Sequence, residues 1–362
     1  MQAIEYSGIW WLPTNPQTKV AGTLTFSNED GIALELIGAL GDLGTFNSRQ
    51  PYPLILGLAG DGKKVTLSNC VFAGVTVGMP GFARESYMAS FCLVGAHFNE
   101  LDEVRFSRCE VSFSHLPDWV RTSGFAVKQY WDEHKVEVIY SLPPDVEAET
   151  SKGLISLSFI CNTSGDGIEE MNLHQSVWME VKADKEYAFH DLIYQFIRPL
   201  QNLLSLATTK PNSILELNVF SKRVFCEKED GERVETPIQL CFQQKYFEPR
   251  LSKLLIPDYM LFTLHDIANN FQAVMERWFS ISNELDSVCN LFFGIQYTPT
   301  LNLENKFLNT VQAVESYHRR RMKNEVLPKA EHERLKSAVL NKVDAEHRAW
   351  LKGLLAYATS RV

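Results

Sequence analysis

The chain has 362 residues, 45% of them hydrophobic and 22% charged, which is a globular composition with length for two or three ordinary domains and enough apolar residues for an unstapled core. Its seven cysteines are odd in number, scattered and free of any CxxC pair, which excludes a disulfide framework or zinc ribbon and points to reduced, buried thiols. The net charge is −9, but residues 315–362 hold eleven Lys and Arg against six Asp and Glu, a local +5 that leaves −14 for the rest; such an acidic body repels nucleic acid broadly and admits it only locally.

The start, MQAIEYSGIWWLP, lacks the basic head and apolar run of a signal peptide, and no run is long enough to span a bilayer. The sequence therefore predicts a cytoplasmic protein with no membrane partner. Alternation then runs through the first half. Val20, Leu24 and Phe26 share one face of KVAGTLTF, and Ile32, Leu34 and Leu36 share one face of GIALEL, with the turn residues Asn28–Gly31 between them. KVTLSNCVF, EVRFSRCEVSF, KVEVIY and GLISLSFIC repeat the pattern. Short strands separated by Gly, Pro, Asn and Asp predict a twisted antiparallel sandwich or barrel-like domain.

A helix is predicted over 191–207, where Ile193, Phe196, Leu200, Leu203 and Ala207 recur at three and four, with Pro199 expected to kink or break it. Strands return in ILELNVF and PIQLCFQQ. From Pro257 the period becomes helical, with Leu264, Ile267, Phe271, Val274 and Trp278 in one stripe. Asn302 reads as an N-cap with Glu304 in the first turn of a helix whose stripe is Leu303, Phe307, Val311, Val314 and His318. Two shorter helices follow, around 330–342 and 344–357. The predicted class is α+β with two domains: a β-rich, antiparallel, sandwich-like domain over 1–250 and an all-α helical bundle over 257–362.

Several stretches carry candidate chemistry. Gly57–Lys64, GLAGDGKK, nearly matches GxxxxGK[ST], but Lys64 replaces the hydroxyl and a strand follows where a phosphate loop needs a helix, so Asp61–Gly62 reads as a hairpin turn. Trp10 and Trp11 offer a stacking surface for sugars or bases, although alternation sends one ring to the core and leaves the other partly exposed. The nine histidines show no metal-ligand spacing, and no GxSxG elbow appears, so neither a metal nor another cofactor is expected. In VESYHRRRMK, Glu315 and Arg319 are placed to pair four apart, and His318 continues the apolar stripe toward the bundle interior or a groove. Arg319, Arg320 and Arg321 fan out around the helix, with Lys323 beyond them.

These residues resemble a known family. The N-terminal G-x-W-x-x-P at Gly8–Pro13, the V-x-G-x-L at Val20–Leu24 and the G-x-x-L-x-L at Gly31–Leu36 are similar to the Apea-like N-terminal domain. The stretch from LHDIANNFQAVMERWF through ExxFLxxxQAxExYHRR, ending at Arg320, resembles the start of an Apea-like HEPN domain. The resemblance implies a metal-independent ribonuclease of an antiphage, abortive-infection system. Such enzymes use an Arg and a His spaced R-x(4–6)-H, usually in a homodimer formed through the helical domain. The His serves the ribose 2′-OH and the leaving oxygen, and the Arg serves the phosphate, leaving a 2′,3′-cyclic phosphate.

The family pair is not found here. The sole R-x(4–6)-H match is Arg108…His115, inside a strand-like segment, and no arginine of the helical part has a histidine at that distance downstream. The expectation is a partial HEPN domain without its catalytic half, from a truncated gene or a natural variant, and hence inactive as given. Glu315, His318, Arg319, Arg320, Arg321 and Lys323 are then expected to line a groove that contacts RNA, whether tRNA or another cellular RNA. The β-rich domain is expected to sense a phage-derived trigger. The alternative is a non-catalytic protein whose β-domain recognises a phage protein, nucleic acid or glycan, with Trp10 and Trp11 as its surface. The last helices are also expected to leave Trp350, Leu354 and Tyr357 partly uncovered.

Overall fold

The computed structural model describes residues 1–41, 51–77, 81–248, 254–321 and 328–355. It has two compact units, Met1–Ser280 and Ile281–Val362.

In the first unit six strands come first: β1 (Ile4–Leu12), β2 (Asn15–Ser27), β3 (Gly31–Ile37), β4 (Tyr52–Ala59), β5 (Lys64–Val77) and β6 (Ala83–Ala89). They pair antiparallel in the order β5-β4-β1-β2-β3-β6, and β6 returns to β5, so the sheet closes into a barrel. Closure removes the free edges that an open sheet would expose. Leu24, Phe26, Ile32, Leu34 and Leu36 are buried in the core, as the alternation of β2 and β3 requires.

The remaining strands are β7 (Phe91–Val94), β8 (Arg105–Phe113), β9 (Phe125–Tyr130), β10 (Lys135–Tyr140), β11 (Val146–Thr150), β12 (Gly153–Ser164), β13 (Asn172–Ala188), β14 (Ile214–Phe220), β15 (Phe225–Glu227), β16 (Arg233–Glu235) and β17 (Ile238–Phe242). An open wing runs β11-β12-β13-β8-β14-β17-β7 and joins the barrel at β5. β5 is long enough to serve both: Val65–Ser68 pairs with β4 on one side and β7 on the other, and Val71–Val77 pairs with β6. β9–β10 and β15–β16 form separate two-stranded ribbons. The sandwich-like expectation is thus refined to a barrel with a wing. Alternation identifies a buried face but not whether the sheet closes on itself.

Helical segments accompany the wing: α1 (Leu116–Val120), α2 (Phe189–Leu192), a π turn over Ile193–Ile197 and α3 (Arg198–Thr208). α1 and α2 pack on β13, α2 also on β8, and α3 on α1. Pro199 does not break this helix. It sits in the first turn of α3, where its missing N–H costs least, and the π turn before it absorbs the ring. The Pro199 carbonyl accepts the Trp278 indole N–H at 2.7 Å.

The helices α4 (Leu264–Ile267) and α5 (Phe271–Glu284) follow. Leu264, Phe271, Met275 and Phe279 all lie in the core of the first unit, with the Phe279 ring edge-on to Phe196 at 6.0 Å. The expected division near 250–257 marks the change of period, whereas the compact units divide at 280/281. A change of period records which secondary structure forms, not which core its side chains enter.

The second unit contains α6 (Asp286–Gln296), α7 (Leu303–Arg321), α8 (Lys329–Asn341) and α9 (Ala345–Leu355). α6 packs on α7, and α8 packs on α9. Asn302 caps α7 as expected, its side-chain oxygen accepting the Asn305 N–H at 3.0 Å.

Candidate nucleic-acid face and other sequence-selected residues

α7 carries the VESYHRRR stretch, and it faces the other way from the expectation. Ala313 is its buried residue, with Lys306, Asn309 and Ser316 half-buried at spacings of three and four. Leu303, Phe307, Val311 and Val314 are exposed, and His318 is exposed with them. His318 is therefore not inward. The physical reason is size: small residues at 313 and 316 let α7 approach α6 closely, whereas the bulky stripe does not fit that contact. Apolar periodicity alone does not distinguish a packed stripe from an uncovered one.

The arginines separate by role. Arg320 donates to the Glu284 carbonyl at 2.5 Å, and Arg321 lies 3.9 Å from the Glu284 carboxylate, so both cations sit at the C-terminal end of α5, where the helix dipole favours them. Arg319 is exposed, and Glu315 is exposed without an ion pair to it. Lys323 and Tyr357 lie outside the described residues. Trp350 and Leu354 are 68% and 57% exposed, so that part of the uncovered strip is present. Sequence reading passed over His332. It is buried on α8, and its Nε2 is 3.2 Å from the Leu355 carbonyl, tying α8 to α9.

The sole R-x(4–6)-H match does not assemble a site. Arg108 lies in β8 with its guanidinium over the Phe220 ring and 3.2 Å from Glu180. His115 is buried just before α1, its Nδ1 3.2 Å from Asp118. Seven residues of extended chain, roughly 23 Å, separate the two. Gly57–Lys64 is the end of β4, a hairpin turn over residues 60–63 and the first residue of β5, with Gly62 at φ 85 and Asp61 paired to Lys63 at 2.8 Å. No helix follows it, so phosphate-loop geometry is absent there.

Trp10 and Trp11 point to opposite sides of β1, but neither forms the expected surface. Trp10 is fully buried in the barrel, donating its indole N–H to the Gly22 carbonyl at 3.1 Å; a Cβ on Gly57 would come within 2.2 Å of its ring. Trp11 is also buried, edge-on to His97 at 5.2 Å and beneath Lys19 Nζ at 5.0 Å. His97 is in turn 2.7 Å from the Gly57 carbonyl, and burial holds its imidazole pKa below the usual value. The cover over Trp11 comes from a distant loop and a long lysine, and local alternation carries no signal of either.

The ApeA N-terminal domain 1 family matches residues 5–278, and the Apea-like HEPN family matches residues 308–362. The chain belongs to the ApeA family. The N-terminal ApeA match takes in α4 and most of α5, so LHDIANNFQAVMERWF belongs to the N-terminal domain and not to the HEPN start, in agreement with its burial in the first core. The HEPN match begins within α7 and contains Glu315, His318 and Arg319 to Arg321. No curated protein and no solved structure matches the ApeA chain. Among its described residues, no helix is long and apolar enough to cross a membrane.

Proposed function

We propose that this ApeA-family chain is a cytoplasmic antiphage, abortive-infection protein, with the first unit sensing a phage-derived trigger and the second serving as its HEPN-type, RNA-binding part. The observation that carries the reading is the union, in one chain, of an N-terminal ApeA match and an Apea-like HEPN match. HEPN domains commonly dimerise and bind RNA. The exposed stripe Leu303, Phe307, Val311 and Val314 is the homodimer face in this reading, and His318 and Arg319 are its RNA-contacting residues, with tRNA or another cellular RNA as ligand. Arg320 and Arg321 support the end of α7 through Glu284.

Residues 281–362 contain no R-x(4–6)-H pair, so these 362 residues do not cleave RNA by themselves in this reading. The test is incubation of the purified chain with tRNA in a chelator. The expected result is binding that weakens with salt and on Arg319→Ala, without cleavage. Metal-independent cleavage that disappears in His318→Ala overturns the proposal.

A second reading has its own observation. The β9–β10 ribbon carries Val127, Val136 and Val138 on one face and Trp131 at its tip, all at least half exposed. Such a face fits a non-catalytic protein whose β-rich unit recognises a phage protein, nucleic acid or glycan. Loss of trigger binding on Trp131→Ala, with RNA binding unchanged, favours it.

A further inference from the structure

The first unit is strongly acidic: residues 1–280 hold 23 Lys and Arg against 35 Asp and Glu, a net of −12. One cleft on it reverses that sign. It has a volume of about 500 Å³ and gathers Arg108, Lys182, Lys185, Lys222 and Arg233 against Asp184, Glu232 and Glu235. The volume falls within the range of small-molecule sites.

Three separate features build the cleft. The floor is β8, where Arg108 lies flat on Phe220, its guanidinium carbon 3.5 Å from the ring centroid. One wall is a bulge in β13. The pairing with β8 passes from Arg108↔Lys182 to Phe106↔Tyr187, so Ala183 to Glu186 have no partners in β8, while Ala183 still pairs with Gly153 of β12. Bulges of this kind re-aim side chains and concentrate beside functional sites. The other wall is Lys222, just after β14, with the β16 residues Val234 and Glu235.

The acidic residues of the lining are already engaged. Asp184 accepts the Tyr187 hydroxyl at 2.7 Å, Glu232 pairs with Lys228 at 2.6 Å, and Glu235 faces Arg108 at 3.9 Å. Three cations are engaged as well: Arg108 lies 3.2 Å from Glu180 and 3.7 Å from Glu110, Lys182 lies 3.5 Å from Glu180, and Arg233 lies 3.1 Å from Glu227. Lys185 and Lys222 are different. Both are exposed, and among the described residues neither has a carboxylate within ion-pair distance; Lys185 has only the Tyr187 ring, 5.2 Å below its Nζ. Arg108 also keeps one unsatisfied donor. Its Nε–H is buried and makes no hydrogen bond among the described residues, the Glu235 carboxylate standing 3.9 Å from it. An unpaired donor beside uncompensated positive charge is costly unless an acceptor arrives.

We propose that this cleft binds a small phosphate-bearing anion, held by Lys185 and Lys222 above the Arg108–Phe220 stack. Lysine supplies point charges to phosphate oxygens, and the stacked guanidinium presents a fixed planar donor edge. The binding site stands on the first unit alone. Only its meaning, a ligand class for the sensing role, rests on the function proposed above.

The test uses the full chain and inorganic pyrophosphate, followed by calorimetric titration and by Tm. The expected result is saturable binding with a raised Tm, and an affinity lower by about tenfold or more in Lys185→Ala/Lys222→Ala. Both lysines are exposed, so the unliganded Tm of that variant should match the parent, and Lys128→Ala, on β9, should bind as the parent does. ADP in place of pyrophosphate shows whether a base and ribose add affinity. The proposal is overturned by an absence of pyrophosphate binding, by binding that the double variant retains, or by a single-stranded RNA oligonucleotide that needs both lysines where pyrophosphate does not bind. The pyrophosphate arms contain no RNA, so their failure leaves the RNA reading of the second unit standing.

Discussion

Trp10 and Trp11 show how far one residue can be read from its neighbours. Alternation correctly sends them to opposite faces. It does not show that Lys19 and the His97 segment cover the outer ring, because both arrive through tertiary structure. Trp10 fills the barrel beneath Gly57, where only a glycine leaves room for the ring. Trp10→Ala should therefore cost about 3–5 kcal/mol in denaturant unfolding, making it a stability variant and unsuited to probing a binding surface. His97 gives a pH dependence. Burial is the main cause of its lowered pKa, with Lys64 acting in the same direction and the Gly57 hydrogen bond opposing. The folded state therefore takes up this proton less readily than the unfolded state. Its contribution is complete above the ordinary value of 6.5 and is lost as pH falls below it toward the depressed folded value. Urea midpoints measured across that range should fall with acid, and His97→Gln should flatten the slope.

At the level of elements, strands were more legible than helix faces. GIALEL, with a glycine at its start and Ile32, Leu34 and Leu36 at every second place, reads directly as β3, because a strand buried on one face leaves one choice of register. The 191–207 helix is equally plain, and Pro199 misleads only because a π turn is invisible in sequence. α7 is the contrary case. Its apolar stripe and the stripe of Lys306, Asn309, Ala313 and Ser316 both repeat at helical spacing, and the second one packs. Ala313→Phe should accordingly wedge α7 from α6 and cost about 1–3 kcal/mol. Phe307→Glu should leave the fold within about 0.5 kcal/mol, since Phe307 is 66% exposed. If the stripe is the homodimer face, the same variant lowers the mass in light scattering to that of a monomer; an unchanged dimer mass removes the stripe from that role.

For the whole molecule, the allegiance of α4 and α5 is what sequence reading misses. Their period is helical, so they group with the helices that follow, yet Leu264, Phe271, Met275 and Phe279 enter the core of the β-rich unit. The candidate RNA face was legible as a composition, a run of His and Arg, but not as a geometry, because the orientation of α7 depends on what α6 can accept. The basic cleft was not legible at all: its lysines lie in a β13 bulge and after β14, and no local pattern links them.

The branching of β5 has a consequence for how the first unit opens. Val65 to Ser68 are bonded on both sides, to β4 of the barrel and β7 of the wing, and all four side chains are fully buried. Successive N–H groups point to opposite neighbours, so some of these amides are held by the barrel and the others by the wing, and the whole segment meets solvent only when both come apart. They should be the slowest to exchange hydrogen for deuterium, at the free energy of global unfolding, while the β9–β10 ribbon exchanges through small local openings. A mass-spectrometric exchange series that finds 65–68 no slower than the barrel strands around them would show that barrel and wing unfold as separate cooperative parts.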